Sequence, residues 1–312
     1  MRSNNECLEI IENASHVVVG KRRPLELMTV ALLAEGHVLL EDVPGLGKTL
    51  MAKALARSMG GIFRRLQFTP DLLPSDVTGF SVYNQKTGEF VFHPGPVMSN
   101  VLLADEINRT IPRTQSSLLE SMGEFQVTVD SGTLELPCPF FVIATQNPIE
   151  MDGTFPLPEA QLDRFLMKID IGYPSRDEEM SIMERFQKDD PLDRLSPVTT
   201  PERLAELQKA RAEIVVSPPV REYLADIVCA TREHPQVRYG ASPRASIGLM
   251  KAAQALALVR GRDFVLPDDV KELARPVLAH RLILRHEERA KGATAAGVLN
   301  EILSAVPAAS PV

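Results

Sequence analysis

Residues 37–49 read HVLLEDVPGLGKT, an apolar run followed by a glycine-bearing loop and then by Lys-Thr. The apolar run His37–Glu41 predicts a short buried strand, and Thr49–Met59 predicts a helix with one apolar face. Gly45 and Gly47 allow backbone N–H groups to turn towards an anion, and the start of the following helix favours negative charge. The stretch therefore predicts a phosphate-binding loop between a strand and a helix.

Two side chains of this loop supply the chemistry that a nucleotide requires. Lys48 is expected to neutralise the β- and γ-phosphates, and the Thr49 hydroxyl is expected to bind Mg²⁺. Asp42 stands where the pattern GxxxxGK(S/T) has its first glycine. Because Asp tolerates unusual backbone angles better than most residues, we interpret it as a permitted variant. The loop residues expected to contact the nucleotide are Pro44, Gly45, Leu46, Gly47, Lys48, Thr49 and Leu50.

Polar side chains follow two further apolar runs. Val101–Asp105 predicts a buried strand that ends in Asp105 and Glu106, and Phe140–Thr145 predicts another that is followed by Asn147. Because the carboxyl ends of parallel strands meet at one edge of a sheet, we expect these groups beside the phosphate loop. Asp105 would hold Mg²⁺, Glu106 would polarise the attacking water, and Asn147 would present an amide near the γ-phosphate. Each motif alone is also compatible with a polar turn.

Short apolar runs alternate with helical patterns through the first half of the chain. Together with the runs above, Ile62–Phe68 and Leu166–Ile171 predict five strands that are apolar nearly throughout, as in a parallel sheet covered by helices on both faces. Two insertions, Ser81–His93 and Phe125–Pro137, alternate around polar turns and predict β-hairpins. The predicted fold is therefore α/β, with a phosphate-binding loop, a parallel five-stranded sheet and two hairpin inserts.

The strand pattern stops at Pro174. We place a domain boundary there, with residues 1–174 as the α/β nucleotide-binding core and residues 175–312 as an all-α lid domain. Proline and serine mark the starts of the later helices, as expected at helix N-termini. Helices are predicted over Arg176–Lys188, Glu202–Ala212, Pro219–Glu233, Pro243–Arg260 and Asp268–His280.

Two arginines complete the candidate site. Arg164 follows a short predicted helix, where we expect it to be exposed. Arg244 lies in the first turn of the predicted helix Pro243–Arg260, where a cation opposes the helix dipole. That unfavourable position suggests an anion nearby. Either residue, considered alone, is also an ordinary surface arginine.

Composition limits the class of protein. The net charge of −7 argues against the polyanionic backbone of nucleic acid as the main partner. Cys7, Cys138 and Cys229 form no CxxC pair, which favours buried, inert thiols over a zinc site or disulfides. The chain begins without the apolar run of a signal peptide and has no apolar stretch of about 20 residues. We therefore expect a cytoplasmic protein without membrane insertion.

The order of these motifs resembles that of AAA+ ATPases, and in detail that of the MoxR family, within the branch that carries a helix-2 insert. The resemblance runs from about Val17 to Leu284. The stretches that carry it are Val17–Gly20, Leu40–Thr49, Phe68–Asp76, Leu103–Arg109, Ala144–Pro148, Leu157–Phe165 and Ala241–Ala245.

The resemblance implies roles beyond those indicated by spacing. Asn147 matches sensor 1, Arg164 matches the arginine finger that reaches the nucleotide of a neighbouring subunit, and Arg244 matches sensor 2 of the lid. Val19 and Gly20 match the linker that lies against adenine. The two hairpins match the helix-2 insert and the pre-sensor-1 insert. Members of this family hydrolyse ATP with Mg²⁺ and assemble as rings, usually hexamers. They resemble chaperones that act on a client with a von Willebrand factor A domain partner, often in metal insertion or complex maturation.

Four functions fit these features. The first is a MoxR-type chaperone that remodels a protein partner, and the second is the motor subunit of a chelatase-like complex. The third is a nucleic-acid motor or transcription activator, which is disfavoured because residues 84–89 carry one cation and no GAFTGA-like loop is present. The fourth, a scaffold that binds ATP without hydrolysis, is disfavoured because Asp105 and Glu106 are both present.

Overall fold

The computed structural model describes residues 2–43, 45–129, 132–147, 153–187 and 189–308. The strands are β1 Val38–Glu41, β2 Phe63–Gln67, β3 Gly79–Asn84, β4 Glu89–Pro94, β5 Val101–Asp105, β6 Gln126–Val129, β7 Gly132–Glu135, β8 Phe141–Gln146, β9 Met167–Ile169, β10 Val237–Tyr239 and β11 Ile283–Leu284. The helices are α1 Arg2–Ser15, α2 Arg22–Leu33, α3 Lys48–Met59, α4 Pro74–Thr78, α5 Pro112–Glu124, α6 Glu159–Leu162, α7 Arg176–Phe186, α8 Pro201–Ala212, α9 Pro218–Glu233, α10 Pro243–Val259, α11 Pro267–Leu278, α12 His286–Ala290 and α13 Ala295–Ala305.

The central sheet has five parallel strands in the order β2-β5-β8-β1-β9. Its middle strands are buried on both faces, as the nearly continuous apolar runs predict. The predicted five-stranded parallel sheet is confirmed. Since β5, β8 and β1 are neighbours, the three polar segments that follow them start at one edge of the sheet.

Helix α3 begins directly at the glycine loop. Gly47 precedes it in a left-handed conformation, and Gly60 ends it in the same conformation. Both positions require a residue that tolerates positive φ. Met51, Leu55 and Met59 of α3 are buried in the main apolar core. Packing of this face fixes the direction in which the N-terminus of α3 points.

One buried apolar cluster continues from the sheet into the helical second half. It joins α1, α2 and α3 to later residues such as Leu204, Leu249 and Leu256. Polar contacts follow the same route, since Gln208 donates to the carbonyl of Leu32 (2.8 Å). A domain boundary at Pro174 stays a prediction, because the core does not divide there.

Both predicted hairpins are present as antiparallel pairs. β3 pairs with β4, and β6 pairs with β7; the middle of the second turn, Asp130-Ser131, lies outside the described residues. The second half is helical as predicted, with one addition. β10 and β11 form a two-stranded antiparallel sheet, and strands of two or three residues are too short for a periodic pattern.

The prediction for the cysteines was wrong in two of three cases. Cys7 is buried, and burial raises the pKa of its thiol to about 12. Cys138 and Cys229 are exposed. Within the described ranges, no helix is both long and apolar enough to cross a membrane.

Candidate nucleotide site

A cavity of ≈ 390 Å³ lies at the edge of the sheet where β1, β5 and β8 end. The structure gathers here the loop, the acidic pair and the amide that the sequence placed at a nucleotide site. The residues that line the cavity are Gly45, Gly47, Lys48, Thr49, Leu50, Asp105, Glu106, Thr145 and Asn147.

The two loop glycines meet the requirements of a phosphate cradle. Gly45 and Gly47 have φ of +86° and +82°, where other residues are strained. A Cβ built on either glycine meets nothing within 4 Å. Glycine is therefore needed here for backbone conformation, and the space above the loop is open to a ligand. The N-terminus of α3 faces the same loop and favours an anion.

Lys48 is held inside the loop. Its ammonium donates to the backbone carbonyl of Asp42. Burial lowers the pKa of Lys48, while the nearby carboxylates of Asp42, Asp105 and Glu106 oppose that shift. The structure thus places the Lys48 ammonium among acidic groups, a balance that an incoming polyphosphate would change.

Thr145 joins the two acidic residues. Its hydroxyl donates to Asp105 Oδ1 (2.7 Å) and accepts from the backbone N–H of Glu106 (2.8 Å). The other carboxylate oxygen of Asp105 accepts from Arg65 (2.7 Å). Glu106 itself has φ of 57°, a strained conformation for a residue with a side chain. Thr145 therefore fixes the direction of the Asp105 carboxylate and stabilises the turn that carries Glu106.

Two of the described residues contact the Glu106 carboxylate, one through a hydrogen bond and one as an ion pair. Gln67 donates to Glu106 Oε2 (2.7 Å), and Arg109 Nε lies 3.1 Å from the same oxygen. Neither residue was predicted as part of the site, nor was Thr145. Gln67 pairs in register with Asp105 across β2 and β5, so the strand order is the information that would have revealed it.

Arg164 lies outside the cavity lining and is half-buried, not exposed as predicted. Its guanidinium donates to the carbonyl of Leu119 in α5. The reason for the difference is local packing: α6 lies against α5, where Gln161 also donates to Ser116 (3.2 Å).

Arg244 also lies outside the cavity lining. It is exposed at the start of α10, and it is close enough to Arg281 to lower the pKa of that residue, after the larger effect of burial. Ser242, two residues earlier, lies 3.4 Å from the carboxylate of Asp163. Arg244 is therefore near the segment that carries Arg164.

The other residues predicted to contact the nucleotide do not line the cavity or are not described by the structure. Val19 is half-buried, and Gly20 packs so closely on α7 that a Cβ would lie 2.1 Å from Glu178 Oε1. Neither lines the cavity. Leu46 packs against the main apolar core. Pro44 lies outside the described residues.

Comparison with known proteins agrees with this geometry. Residues 37–167 match the model of the ATPase family associated with various cellular activities (AAA), and residues 229–302 match an AAA lid domain. The chain is 46% identical to Chaperone MoxR1 of Mycobacterium tuberculosis over 95% of this chain and 80% of that protein. It is 34% identical to Protein MoxR of Paracoccus denitrificans, over 86% of each. The chain belongs to the MoxR family of AAA+ ATPases.

Two further relatives cover nearly the whole chain. The uncharacterized protein YeaC of Bacillus subtilis is 55% identical over 95% of this chain and 92% of its own length. A solved structure of a proposed ATPase from Cytophaga hutchinsonii superimposes with a TM-score of 0.92 at 41% identity, covering 99% of this chain and 96% of that one. As a MoxR-family AAA+ protein, the chain binds nucleotide and hydrolyses ATP, and the cavity at the ends of β1, β5 and β8 is where its motifs meet.

Proposed function

We propose that this MoxR-family ATPase uses Mg²⁺ and carries out hydrolysis in the cavity described above. The observation that carries the proposal is that Lys48, Thr49, Asp105 and Glu106 all line one open space. The Thr49 hydroxyl and the Asp105 carboxylate are the hard oxygen ligands that Mg²⁺ prefers. Within the described part of the chain, no group of three or more His, Cys, Asp or Glu is placed to hold a metal. That fits an ion held by few protein ligands together with substrate phosphates, where it neutralises developing charge.

The residues of the chain divide the work. Lys48 keeps its contact to the Asp42 carbonyl and turns its remaining N–H groups to the phosphate oxygens, since an ammonium has three donors. Glu106 turns from Gln67 and Arg109 towards the attacking water and accepts a hydrogen bond from it. Asn147, which lines the same cavity, offers an amide to the γ-phosphate or the water. Positioning and charge neutralisation are sufficient for phosphoryl transfer.

The acidic pair can be tested with one conservative substitution. Glu106→Gln keeps the shape and the contact to Arg109 but cannot orient water as a carboxylate does. We expect nucleotide affinity to be retained and phosphate release to be abolished. Lys48→Ala serves as the comparison, because it should lose nucleotide affinity itself. A fluorescent-nucleotide titration and a phosphate-release assay separate the two. Unchanged turnover in Glu106→Gln would exclude its role with water.

We infer that a neighbouring subunit completes the site in a ring, which we propose to be hexameric. Of the described residues that line the cavity, none is Arg164 or Arg244. The two arginines belong to one region, because Ser242, near Arg244, lies 3.4 Å from Asp163, the neighbour of Arg164. An arginine that stabilises the transition state from outside contributes about 10³–10⁵ in rate. A chain without such a partner should therefore hydrolyse ATP very slowly.

Complementation between two inactive variants tests this inference. Arg164→Ala keeps its own phosphate loop, whereas Lys48→Ala keeps its own Arg164. Mixed in one assembly, the two should restore turnover at sites formed by an intact loop and a neighbour's intact arginine. Each variant mixed with wild-type protein controls for subunit exchange. Mixed assemblies that form but stay inactive would contradict action of Arg164 between subunits.

We propose further that ATP-driven motions of the ring remodel a protein client in the cytoplasm, together with a von Willebrand factor A domain partner, in maturation or metal insertion. The relative named Chaperone MoxR1 supports a chaperone role. The net charge of −7 disfavours nucleic acid as the main partner. Exposed apolar side chains on the first hairpin, among them Phe80 and Phe90, offer contacts to protein.

A trapped complex identifies the partner. Glu106→Gln should hold ATP and retain partners, whereas Lys48→Ala should bind no ATP and release them. Proteins enriched with the first variant over the second would be partners that depend on the ATP-bound state. ATP hydrolysis stimulated by DNA, with a stimulation that weakens as salt is raised, would instead favour a nucleic-acid motor.

A further inference from the structure

Asp42 occupies the position where the pattern GxxxxGK(S/T) has its first glycine. Among the described residues, the non-glycine positions with positive φ are Glu35, Glu106 and Phe125, and Asp42 is not one of them. The interpretation of Asp42 as a residue that tolerates unusual backbone angles is therefore wrong. Its backbone needs no special tolerance, so the reason for an aspartate must be sought in its side chain.

The Asp42 carboxylate binds a backbone segment distant in sequence. Oδ2 accepts from the N–H groups of Ile171 (3.0 Å) and Gly172 (2.7 Å), and Oδ1 accepts from the N–H of Val43 (2.9 Å). Hydrogen bonds to an ionised acceptor are about twice as strong as neutral ones. We call residues 170–175 the connecting segment, because they run from the end of β9 to the start of α7. A glycine at position 42 would make no side-chain contact with it.

A second charged residue holds the same segment by its carbonyl groups. The Lys21 ammonium donates to the carbonyls of Gly172 (2.9 Å) and Tyr173 (3.1 Å). Lys21 is only 7% exposed, which is unusual for lysine. Asp42 therefore binds N–H groups of the connecting segment, and Lys21 binds carbonyl groups of the same segment.

The backbone of Asp42 contacts a residue of the phosphate site. Its carbonyl accepts from the Lys48 ammonium. One residue therefore contacts the connecting segment with its side chain and the phosphate-binding lysine with its main chain. Because both groups share one Cα, a displacement of the connecting segment is transmitted to the carbonyl that Lys48 contacts.

We propose that Asp42 is a positioning residue that couples the phosphate loop to the connecting segment, so that the placement of Lys48 during hydrolysis depends on the backbone leading to the lid. The proposal rests on the ATPase activity of the family and not on the proposed ring or its partners. It assigns Asp42 a role in turnover that the usual glycine could not fulfil.

Two substitutions separate the carboxylate from backbone flexibility. Asp42→Gly restores the usual loop pattern, and Asp42→Ala removes the carboxylate without adding glycine's freedom. We expect both to lower kcat by about 10- to 100-fold, since small misplacements of catalytic groups have effects of that size. The KM for ATP and the affinity for a non-hydrolysable analogue should change little. A lower kcat with unchanged nucleotide affinity distinguishes both Asp42 variants from Lys48→Ala, which should lose nucleotide affinity.

Hydrogen exchange reports the contact directly. The amides of Ile171 and Gly172 should exchange faster in both variants than in the wild-type protein, because they lose their acceptor. Asp42→Asn keeps a single acceptor oxygen and should give intermediate exchange and turnover. Asp170→Asn changes a carboxylate of the same segment that pairs with Arg275 instead, so it should leave both readouts unchanged.

Three results would overturn the proposal. Wild-type kcat in Asp42→Gly would show that the carboxylate is dispensable. A loss confined to Asp42→Gly would assign the effect to glycine flexibility. Joint loss of nucleotide binding and turnover would show that Asp42 maintains only the shape of the loop. If neither variant folds, Asp42→Asn and Lys21→Met test the same segment, and lower kcat with unchanged KM and faster exchange is then the expected result.

Discussion

At the scale of single residues, Thr145 connects the two carboxylates of the site. It is 2% exposed, and its hydroxyl is both donor to Asp105 and acceptor for the N–H of Glu106. Thr145→Val keeps the shape of the side chain but removes both bonds. An unsatisfied buried polar group costs about 1–3 kcal/mol. We expect Thr145→Val to lower kcat by about tenfold through misdirection of Asp105 and Glu106, as measured by steady-state phosphate release.

Thr145→Ser is the matched control, because it keeps the hydroxyl and loses only a methyl group. It should retain most of the turnover, with a small decrease in Tm from the lost methyl contact. Equal losses in the two variants would indicate that packing of the methyl group, and not the hydrogen-bond pair, accounts for the effect.

At the scale of elements, His37 ties the sheet to the helix that covers it. It precedes β1, and its Nδ1 accepts from the N–H of Val142 in β8 (3.0 Å). Its Nε2 lies 3.1 Å from the carbonyl of Met122 in α5 and therefore carries the proton and donates. Burial lowers the pKa of His37 to about 4. The side chain is thus neutral and joins three elements through two hydrogen bonds.

This arrangement predicts a pH dependence of stability. In the unfolded chain the pKa of a histidine is about 6.5, so between about pH 6.5 and 4 the unfolded state binds more protons than the folded state. The contribution of His37 is therefore full above about pH 6.5 and falls as the pH is lowered, by at most about 1.4 kcal/mol per pH unit. His280, whose pKa burial lowers to about 3, should act in the same direction. Urea unfolding at several pH values measures the slope.

His37→Gln should flatten this slope, although it also lowers stability at neutral pH by removing hydrogen bonds. His93→Gln is the control, because it removes a histidine whose side chain is exposed on the first hairpin. An unchanged slope in His37→Gln would contradict the assignment of the pH dependence to this residue.

At the scale of the whole molecule, Arg281 links the lid to the core. Its guanidinium donates to the carbonyl of Phe165 (2.7 Å) and lies 3.4 Å from Asp163. Its side chain is 4% exposed, and burial lowers its pKa to about 10. Asp163 is 27% exposed, so removal of Arg281 leaves no fully buried charge, and loss of a hydrogen bond from a charged donor costs about 1.5–3 kcal/mol. We expect Arg281→Gln to lower the free energy of unfolding by about that amount and to reduce turnover.

Arg289→Gln is a control for the loss of one positive charge. Arg289 lines the space between the lid and the edge of the sheet but is exposed. Its replacement should leave the stability within about 0.5 kcal/mol of wild type, as is usual at surface positions. Calorimetry and urea unfolding measure both variants. Similar behaviour of the two would show that overall charge, not the link to Phe165, matters.

The loop of residues 37–49 and the acidic strand end were recognisable from the sequence alone, because their chemistry depends on residue types at short spacings. Gly45 and Gly47 are required by local backbone conformation, and the continuous apolar run of β5 predicts its burial. Requirements of this kind can be recognised in a sequence, because they depend only on residue types a few positions apart.

Other features depended on which distant segments the fold brings together. Gln67 meets Glu106 because β2 lies beside β5, and Asp42 meets the connecting segment because β1 lies beside β9. Arg164 is half-buried because α6 packs on α5. No short-range pattern encodes these contacts, since each joins residues separated by tens of positions. The sequence alone determined that this chain carries a nucleotide site. Only the tertiary structure decided which side chains hold that site in position, because strand order and helix packing set those distances.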